Sequence, residues 1–516
     1  MKTVLEKLKH YIYYNRYFIL LITGYFFIRL INLLGFPIFN DEAIYLDWGW
    51  RETHTPGHLY YSLYDAKQPL LMWVFGITQQ VFSDPLFAGR IVSVFTGFLT
   101  LLGIYKISQK LFDTKTAFLA SIFYAVIPIF SFFDRQALME SSISAVGIWA
   151  GYFLIKLTQE KNYRYAVTLG IIFGIGFFIK SSALIFLISF LVSAVFLIKT
   201  SPKKGKMVEI VFLTLLIFFS VILLLVINPE FWRTLGSNSR FTFTIDELIS
   251  FPINSWINSI AMNFKILFFY FTPVVFIISI IGIFKFFLNS FKHKIFLLFF
   301  LVPFFIETFT VKDATDRYIV SFLPFLVICA SFFLVYLINK KQIYGYLILF
   351  FSLAISLILT FYQITDFPNY ILNMGKVSGY INNSYLISNT SGYGVNDAID
   401  YFQKLAKKEE FIIGVAQNTG NPESAFQVYF NKTKNPTVAY MDSNLLSVNL
   451  NDYDCFSTGV NTYFVSRDNQ QAGLEKFLIK LKTFKNPYGE NTIGIYKLNQ
   501  QCKGKTLKVS VAKTSK

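Results

Sequence analysis

Long apolar segments alternate with short basic turns over most of the chain, beginning with an apolar run from Tyr17 to Leu34. That run is long enough to cross about 30 Å of hydrocarbon as a helix, and no small-residue cleavage site follows it, so we expect a retained span. Basic residues precede this run and then return at every second turn: Lys2, Lys7, Lys9 and Arg16; Lys106, Lys110 and Lys115; Lys156, Lys161 and Arg164; Lys199, Lys203, Lys204 and Lys206; Lys285, Lys292 and Lys294; Lys340 and Lys341. Because cytoplasmic loops carry the excess of lysine and arginine, the pattern predicts a cytoplasmic N-terminus.

One segment, from Tyr165 to Ile198, has basic clusters at both ends and is too long for a single span. It must cross outward and return, so the sequence predicts a turn near Lys180. Including this hairpin, the pattern predicts about eleven transmembrane helices, the last from Ile343 to Tyr362, which leaves the C-terminus outside. The predicted fold class is therefore a polytopic α-helical membrane protein.

The sequence changes beyond Asp366, where polar and apolar residues become mixed. Two helices and three strand-like apolar runs are predicted there, near residues 395–407, 473–481, 411–416, 462–466 and 492–496. This mixture predicts a small extracytoplasmic α/β domain over residues 364–500, after a transmembrane domain over residues 1–363. The basic tail, residues 501–516, is predicted to be disordered.

The overall composition agrees with a membrane protein, since 54% of the residues are hydrophobic and 15% are charged. The net charge is +17, but the basic residues are not gathered on one stripe, which argues against a nucleic-acid surface. The cysteines, Cys329, Cys455 and Cys502, lack the spacing of a metal site. If the C-terminal region is exported, Cys455 and Cys502 form either a disulfide or two free thiols, and the sequence leaves both alternatives open.

Ionisable residues in the predicted outer turns are more numerous than membrane insertion alone explains. They occupy a long first outer loop, residues 36–88, and several later turns: Asp41, Glu42, Asp65, Lys67, Arg90, Asp134, Arg135, Glu140, Lys180, Asp313, Asp316 and Arg317. An ionisable group within a span costs roughly 2.5–3.5 kcal/mol on insertion scales, so Glu140 and Lys180 require a partner or a polar cavity. We therefore predict one outward-facing site that holds both acids and cations.

Such a mixture of charges suits a phosphorylated lipid donor. Arginine and lysine can bind a phosphate and stabilise its charge as it leaves, while a carboxylate removes a proton from an incoming hydroxyl group. Asp41 is the predicted general base, Glu42 a supporting acid and Asp47 an ordinary loop carboxylate. The alternative is that these residues only anchor helix ends at the interface.

The ordered set of these residues resembles a known family. It comprises Asp41-Glu42-Ala43-Ile44-Tyr45, Asp65-Ala66-Lys67-Gln68-Pro69-Leu70 with Trp73, Arg90, Pro128, Arg135-Gln136-Ala137-Leu138-Met139-Glu140-Ser141, Gly176 with Lys180, and Arg317-Tyr318 with Pro324. The set is similar to the protein O-mannosyltransferase and aminoarabinose lipid A transferase group of C-type glycosyltransferases. The resemblance covers about residues 15–340, and the exported domain carries no motif of the group.

The resemblance implies an inverting glycosyltransferase that moves a hexose or pentose from a polyprenyl-phosphate donor to a hydroxyl acceptor on a protein, lipid or surface glycan. Asp41 would be the base or acceptor-positioning acid, with Glu42 beside it and Glu140 as the second acid. Contacts to the donor phosphate or nearby substrate would come from Lys67, Arg90, Arg135, Lys180, Arg317 and Tyr318. The group often has two prolines after the lysine, whereas this chain has Gln68-Pro69. This difference in sequence affects the expected shape of the loop and leaves the expected role of Lys67 unchanged.

Two alternatives accompany this hypothesis. The first is a transporter or flippase for a lipid-linked or charged solute, which would place its ionisable groups near the membrane midplane rather than at outer turns. The second concerns a metal, because His54 and His58 have a spacing that would place both on one face of a helix. Pro56 and Gly57 between them argue against a regular helix, so no protein metal site is predicted. A divalent cation remains an alternative cofactor.

Overall fold

The structure is a computed structural model that describes residues 2–233, 240–379, 383–417, 420–441, 453–467, 474–500 and 505–508, with side chains from residue 16 onward except those of Arg233 and Lys508. The chain divides into two compact units. The first contains residues 1–33, 62–71 and 90–380, and the second contains residues 34–61, 72–89 and 381–516. This division differs from the predicted boundary at residue 364, because two parts of the predicted outer loop belong to the second unit.

The described α-helices are numbered in chain order. They are α1 Lys2–Leu30, α2 Asn40–His54, α3 Leu70–Val81, α4 Pro85–Leu111, α5 Thr114–Val126, α6 Pro128–Phe133, α7 Glu140–Gln159, α8 Tyr163–Ile179, α9 Leu184–Thr200, α10 Lys204–Val226, α11 Pro229–Arg233, α12 Ile245–Ile249, α13 Ile253–Tyr270, α14 Pro273–Phe287, α15 Phe291–Thr310, α16 Asp316–Ile319, α17 Leu323–Lys340, α18 Gln342–Thr365, α19 Phe367–Ser378, α20 Asn383–Leu386, α21 Val395–Leu405 and α22 Glu423–Phe430. Short 3₁₀ turns lie at Tyr61–Asp65, Ser181–Ala183, Val320–Phe322 and Glu475–Phe477.

The first unit is the membrane-spanning part of the chain. Within the described residues, seven helical segments are long and apolar enough to cross a membrane: Pro85–Leu111, Glu140–Gln159, Ser181–Thr200, Lys204–Val226, Phe291–Thr310, Asp316–Lys340 and Gln342–Thr365. Helices α13 and α14 meet at an angle of 118° and form an eighth if they count as one span. The polytopic helical fold is therefore confirmed, while the predicted number of about eleven spans remains a prediction.

The predicted hairpin is present, because α8 ends at Ile179 and α9 begins at Leu184, with Lys180 at the break. Helix α8 packs closely on α10. A Cβ atom placed on Gly170 or Gly174 would collide with side chains of α10, so the two glycines let the backbones approach. Helix α17 lies at the centre of the unit. The apolar segment that contains it is 78% buried, whereas the corresponding segments of α10 and α18 are each only 28% buried. The exposed apolar faces of α10 and α18 suit contact with lipid tails.

The second unit combines α2 and α3 with an α/β region near the C-terminus. Its strands are β1 Ile412–Val415, β2 Thr437–Tyr440, β3 Cys455–Ser457, β4 Thr462–Arg467, β5 Leu478–Lys485, β6 Thr492–Leu498 and β7 Thr506–Lys508. Five of them form one sheet in the order β2-β1-β4-β6-β5. Strands β2, β1 and β4 are parallel, and β6 is antiparallel to both β4 and β5. The predicted small α/β region is thus confirmed.

Several local predictions for the second unit need correction. Much of the predicted loop over residues 36–88 is helical, because α2 and α3 lie within it and pack together at Gly49 and Gly76. The predicted helix near residues 473–481 is a short 3₁₀ turn followed by the edge strand β5, in which β6 provides the backbone partners that the local sequence does not reveal.

Part of the basic tail is ordered, since β7 pairs in parallel with β3. The remainder of the tail predicted to be disordered, 501–504 and 509–516, lies outside the described residues. Cys455 is disulfide-bonded and Cys329 is a buried free thiol. The predicted partner, Cys502, also lies outside the described residues. The alternative of a free thiol at Cys455 is therefore wrong.

Candidate active site

Three predicted site residues meet in the first unit around one carboxylate oxygen. Oε1 of Glu140 accepts hydrogen bonds from Nζ of Lys180 at 2.9 Å and from Nε of Arg317 at 2.6 Å. The Glu140 side chain is 1% exposed, whereas those of Lys180 and Arg317 are 24% and 19% exposed. The other oxygen of Glu140, Oε2, is buried and has no hydrogen-bond partner. The arrangement therefore consists of a buried acid held by two more accessible cations.

Local structure explains how each of these residues reaches the cluster. Glu140 is the first residue of α7, where the helix dipole stabilises a carboxylate. Lys180 follows the last turn of α8 in an extended conformation, so the chain leaves the helix at this residue. Arg317 lies on α16, a single helical turn that precedes α17. All three residues therefore come from helix ends.

The cluster lines a small cavity in the first unit. The cavity is also lined by Ser182, Glu307, Tyr318 and Ser321. The Tyr318 ring lies 5.9 Å from Nζ of Lys180, so the predicted Tyr318 joins the same group. Glu307 was not selected from the sequence, although an isolated carboxylate within an apolar span is itself the signal of a functional residue.

The Lys67 segment is attached to the turn that carries Lys180. The side-chain oxygen of Gln68 accepts a hydrogen bond from the backbone N–H of Ser181 at 3.2 Å. Lys67 itself lies with its ammonium group 5.6 Å from the centre of the Phe241 ring. Gln68 occupies the position where the similar glycosyltransferases often have the first of two prolines. Its side chain makes a specific hydrogen bond that a proline could not make.

Arg90 and Arg135 lie at a different place, at the C-terminal end of α1. Arg135 donates hydrogen bonds to the carbonyl oxygens of Ile31 and Asn32, at 2.9 and 2.7 Å, and Arg90 donates to that of Leu33 at 2.8 Å. These carbonyls follow the last turn of the helix, where no helical partner is available. Both arginines therefore have a structural role, while their predicted contact with donor phosphate stays a prediction.

Burial lowers the pKa of Arg135 to about 9, with further lowering by the nearby positive charges of Arg90 and Arg29. Its Nε atom is buried without a hydrogen-bond partner. Arg29, in contrast, is neutralised by Asp134 through a bond of 3.0 Å between Nε and Oδ2. Positive charge is thus concentrated at this end of α1, where Arg29 faces the carboxylate of Asp134.

Asp41 and Glu42 belong to the second unit, in the first turn of α2. Oε2 of Glu42 accepts a hydrogen bond from the backbone N–H of Phe39 at 3.0 Å, and the residue is fully buried. Glu42 thereby stabilises the N-terminus of its own helix, as negative groups do at that position. Asp41 is partly exposed. The catalytic roles predicted for both residues remain predictions.

Asp47 is not the ordinary loop carboxylate that the sequence suggested. It lies on α2, is buried, and accepts a hydrogen bond of 2.9 Å from Nε of Arg51. Burial raises the pKa of Asp47, and the positive charge of Arg51 offsets part of this effect. Arg51 also donates to the hydroxyl oxygen of Tyr440, on β2, at 2.9 Å. The pair therefore links α2 to the sheet of the same unit.

Among the described residues there is no group of three histidine, cysteine or acidic side chains that could hold a metal ion. Nδ1 of His54 instead contacts the Thr53 hydroxyl and the Trp50 carbonyl oxygen. The His54 ring also stacks on the indole of Trp50 with 3.5 Å between centres. His54 and His58 therefore do not form a metal centre, and a divalent cation stays an alternative cofactor.

Comparison with known proteins gives the family context of these residues. Residues 66–227 match the family described as dolichyl-phosphate-mannose-protein mannosyltransferase. This range contains Lys67, Arg90, Arg135, Glu140 and Lys180. A curated relative, the undecaprenyl phosphate-alpha-4-amino-4-deoxy-L-arabinose arabinosyl transferase 2 of Pseudomonas fluorescens, is 26% identical over 208 residues, which cover 37% of this chain. The matched part spans about a third of that relative, 34% of its length.

Similar solved structures extend over nearly the whole chain. ArnT from Cupriavidus metallidurans in the apo state has a TM-score of 0.56 at 11% identity, covering 94% of this chain and 97% of its own. The same protein bound to undecaprenyl phosphate gives a TM-score of 0.54, also at 11% identity, with 93% and 98% covered. At such identities the likeness concerns the fold. Together, the matched segment and the shared fold confirm the predicted resemblance of this multi-pass membrane protein to the C-type glycosyltransferase group of protein O-mannosyltransferases and aminoarabinose transferases.

Proposed function

We propose that this protein is an inverting glycosyltransferase that moves a sugar from a polyprenyl-phosphate donor to a hydroxyl acceptor on a protein, a lipid or a surface glycan. The observation that carries the proposal is the cluster of Glu140, Lys180 and Arg317 in one cavity. The matched family and relative are both named as transferases with lipid-linked donors, which supports a transferase rather than a transporter or flippase.

The two cations of the cluster suit a phosphate. Both are more exposed than the acid that they share, so an anion can bind their exposed sides while Glu140 stays buried. A guanidinium group gives planar hydrogen bonds to phosphate oxygens, and an ammonium group gives a compact charge. Lys67 is the proposed further phosphate contact, because Gln68 attaches its segment to the Lys180 turn.

The proposed reaction is a single displacement. The acceptor oxygen attacks the anomeric carbon from the face opposite the phosphate, and the bond between that carbon and the phosphate oxygen breaks. The proton of the acceptor hydroxyl passes to a carboxylate base, for which Asp41 is the candidate that the sequence selects. The electron pair of the broken bond leaves with polyprenyl phosphate, whose charge Lys180 and Arg317 stabilise. Because the phosphate leaves as an anion, it needs no general acid.

The finer features of the proposal follow from the charge pattern and the resemblance. The sugar is a hexose or a pentose. The N-terminus is cytoplasmic and the C-terminal α/β region extracytoplasmic, because basic clusters recur at every second turn along the chain. Reaction on the outer face of the cell membrane would then use donors exposed on that side. A divalent cation is not required by the proposed roles, since lysine and arginine neutralise the phosphate.

The test replaces Asp41 with Asn, which removes the base at nearly constant shape. Loss of a general base lowers transfer by about 10²- to 10⁴-fold. Purified protein in lipid vesicles would be given undecaprenyl-phosphate donors carrying mannose, glucose or aminoarabinose, and sugar release from the lipid would be measured. Asp400→Asn, an exposed aspartate of α21, is the matched control and is expected to keep full activity.

Unchanged turnover in Asp41→Asn at normal protein levels would reject the assigned base. Solute uptake without donor cleavage by the wild-type protein would instead support the transporter alternative. A second variant, Lys180→Gln, is expected to weaken binding of undecaprenyl phosphate itself, because it removes one of the two cations at the proposed phosphate site.

A further inference from the structure

The cavity contains a second buried carboxylate, Glu307, that the phosphate chemistry does not use. Glu307 lies in the last turn of α15 and is 9% exposed. It lines the same cavity as Glu140, Lys180 and Arg317. Within the described part of the chain, no side chain or backbone N–H group donates a hydrogen bond to its carboxylate, and Lys180 provides a compensating positive charge.

This position is energetically costly without a ligand. A buried ionisable group in a membrane span is expensive unless it is paired, and the C-terminal end of a helix further disfavours a negative charge. The helix also offers its own carbonyl oxygens there, which cannot donate to a carboxylate. The Glu307 carboxylate is therefore a hydrogen-bond acceptor whose position does not stabilise the folded protein.

Glu140 shows a related feature. Its Oε1 atom accepts from both cations, while its buried Oε2 atom has no partner. The cavity thus contains two carboxylate groups with open acceptor positions beside two cations. Inorganic phosphate or the phosphate of a lipid would satisfy the cations only and would leave the two carboxylates without hydrogen-bond donors. With about 10 Å³ of accessible space, the cavity cannot enclose a whole ligand, so a donor would place only single groups against this lining: an anionic group beside the cations and hydrogen-bond donors beside the carboxylates.

We propose that Glu307 and Oε2 of Glu140 bind the donor sugar by accepting hydrogen bonds from its hydroxyl or amino groups. The inference rests on the proposed function, in which Lys180 and Arg317 hold the phosphate to which that sugar is attached. It also defines the substrate class. Sugars whose substituents are hydroxyl or amino groups alone are bound, whereas uronic acids are rejected because their additional carboxylate would face two others in the same cavity.

The experiment compares lipid phosphate with and without its sugar. The purified full-length protein in nanodiscs would be titrated with undecaprenyl phosphate and with undecaprenyl-phosphate derivatives of mannose, aminoarabinose and glucuronic acid. At least one of the first two sugars is expected to bind more tightly than bare undecaprenyl phosphate, and the glucuronic acid derivative is expected to bind no more tightly than the bare lipid.

The variant Glu307→Gln keeps one acceptor oxygen and removes the charge. It is expected to weaken binding of the preferred sugar-linked donor by about 10-fold or more, the usual size for a hydrogen bond to a charged group. Binding of bare undecaprenyl phosphate should stay within about 2-fold of wild type, which also verifies that the variant is folded. The same variant should reduce the difference in binding affinity between the glucuronic acid and mannose donors. Glu209→Gln is the matched control. The Glu209 carboxylate lies on α10 and accepts a hydrogen bond from the Tyr163 hydroxyl on α8, so this variant should change neither the affinity for bare lipid nor that for the sugar-linked donor.

Equal weakening of bare and sugar-linked lipid in Glu307→Gln would overturn the inference, because Glu307 would then act through Lys180. Equal affinity of wild-type protein for bare lipid and for both sugar-linked donors would overturn it as well. Those results leave phosphate binding intact. Absence of binding to undecaprenyl phosphate in any form would instead refute the proposed function together with the inference that rests on it.

Discussion

Replacing Asp134 with Asn tests the buried network that connects α1 with the segment before α7. Asp134 is 2% exposed and accepts four hydrogen bonds. They come from Nε of Arg29 at 3.0 Å, the Tyr124 hydroxyl at 2.9 Å, the Ser141 hydroxyl at 2.8 Å and the Tyr25 hydroxyl at 3.2 Å. Asparagine has nearly the same shape, but its amide nitrogen is a donor and its charge is zero. The variant therefore leaves a buried guanidinium without a counter-charge.

Breaking a buried ion pair by removing one partner typically costs 3–5 kcal/mol. Arg29 retains hydrogen bonds to the carbonyl oxygens of Ala125 and Tyr124, and its guanidinium carbon lies 4.8 Å from the Tyr25 ring centre. These contacts compensate part of the loss, so we expect a decrease of about 3 kcal/mol in the free energy of unfolding, at the lower end of that range. This corresponds to a roughly 150-fold shift of the equilibrium towards unfolded protein.

The free energy of unfolding can be measured by titrating the purified protein with SDS in mixed micelles and following tryptophan fluorescence. Asp113→Asn is the matched control. Asp113 accepts one hydrogen bond, from the backbone N–H of Thr116, as the N-cap of α5. Asparagine caps helices about as well as aspartate, so this variant should lie within about 0.5 kcal/mol of wild type. If Asp134→Asn were as stable as Asp113→Asn, the network would not hold α1 in the way described.

Three further predictions concern other contacts. Gln68→Ala removes the acceptor for the Ser181 N–H group. The loss of about 1 kcal/mol of hydrogen bonding is expected to slow transfer about 5-fold. Unchanged kinetics would show that this contact between the Lys67 segment and the Lys180 turn does not matter for transfer. Gly76→Ala introduces a Cβ atom against the Gly49 carbonyl oxygen and should destabilise the second unit by about 1–3 kcal/mol in urea unfolding. Gly205→Ala, on an open helix surface, should be neutral or slightly stabilising. Reduction of the Cys455 disulfide should lower the free energy of unfolding of that unit by about 2–4 kcal/mol, and an unchanged urea midpoint with dithiothreitol would contradict this.

Much of the membrane-spanning architecture is readable from the sequence. Apolar length and the placement of basic residues predicted the break at Lys180 and the final span, because both signals act within a single segment. The prediction of a helix near residues 473–481 was wrong because the structure of that segment depends on a contact with another segment. Strand β5 exists because β6 pairs with it, and that pairing is a contact between segments.

The candidate site shows the same distinction. Sequence order selected Glu140, Lys180 and Arg317 as residues of one site, but it also selected Arg90 and Arg135, which bind the end of α1. Glu307 was missed, although a lone carboxylate in an apolar span is a signal in the sequence, and only the structure shows that it lines the same cavity as Glu140. Charge and apolar context identify which residues are unusual, without revealing which of them share a cavity.

The sequence by itself therefore determined that the chain crosses a membrane many times and carries acids and cations that its spans do not need. Hydrophobicity and charge specify this because the free energy of insertion depends on each segment separately. Only the tertiary structure decided the partners. Arg317 binds Glu140 across 177 residues of sequence, and Arg135 binds carbonyl oxygens of α1 instead, because packing of distant helices fixes which groups can meet.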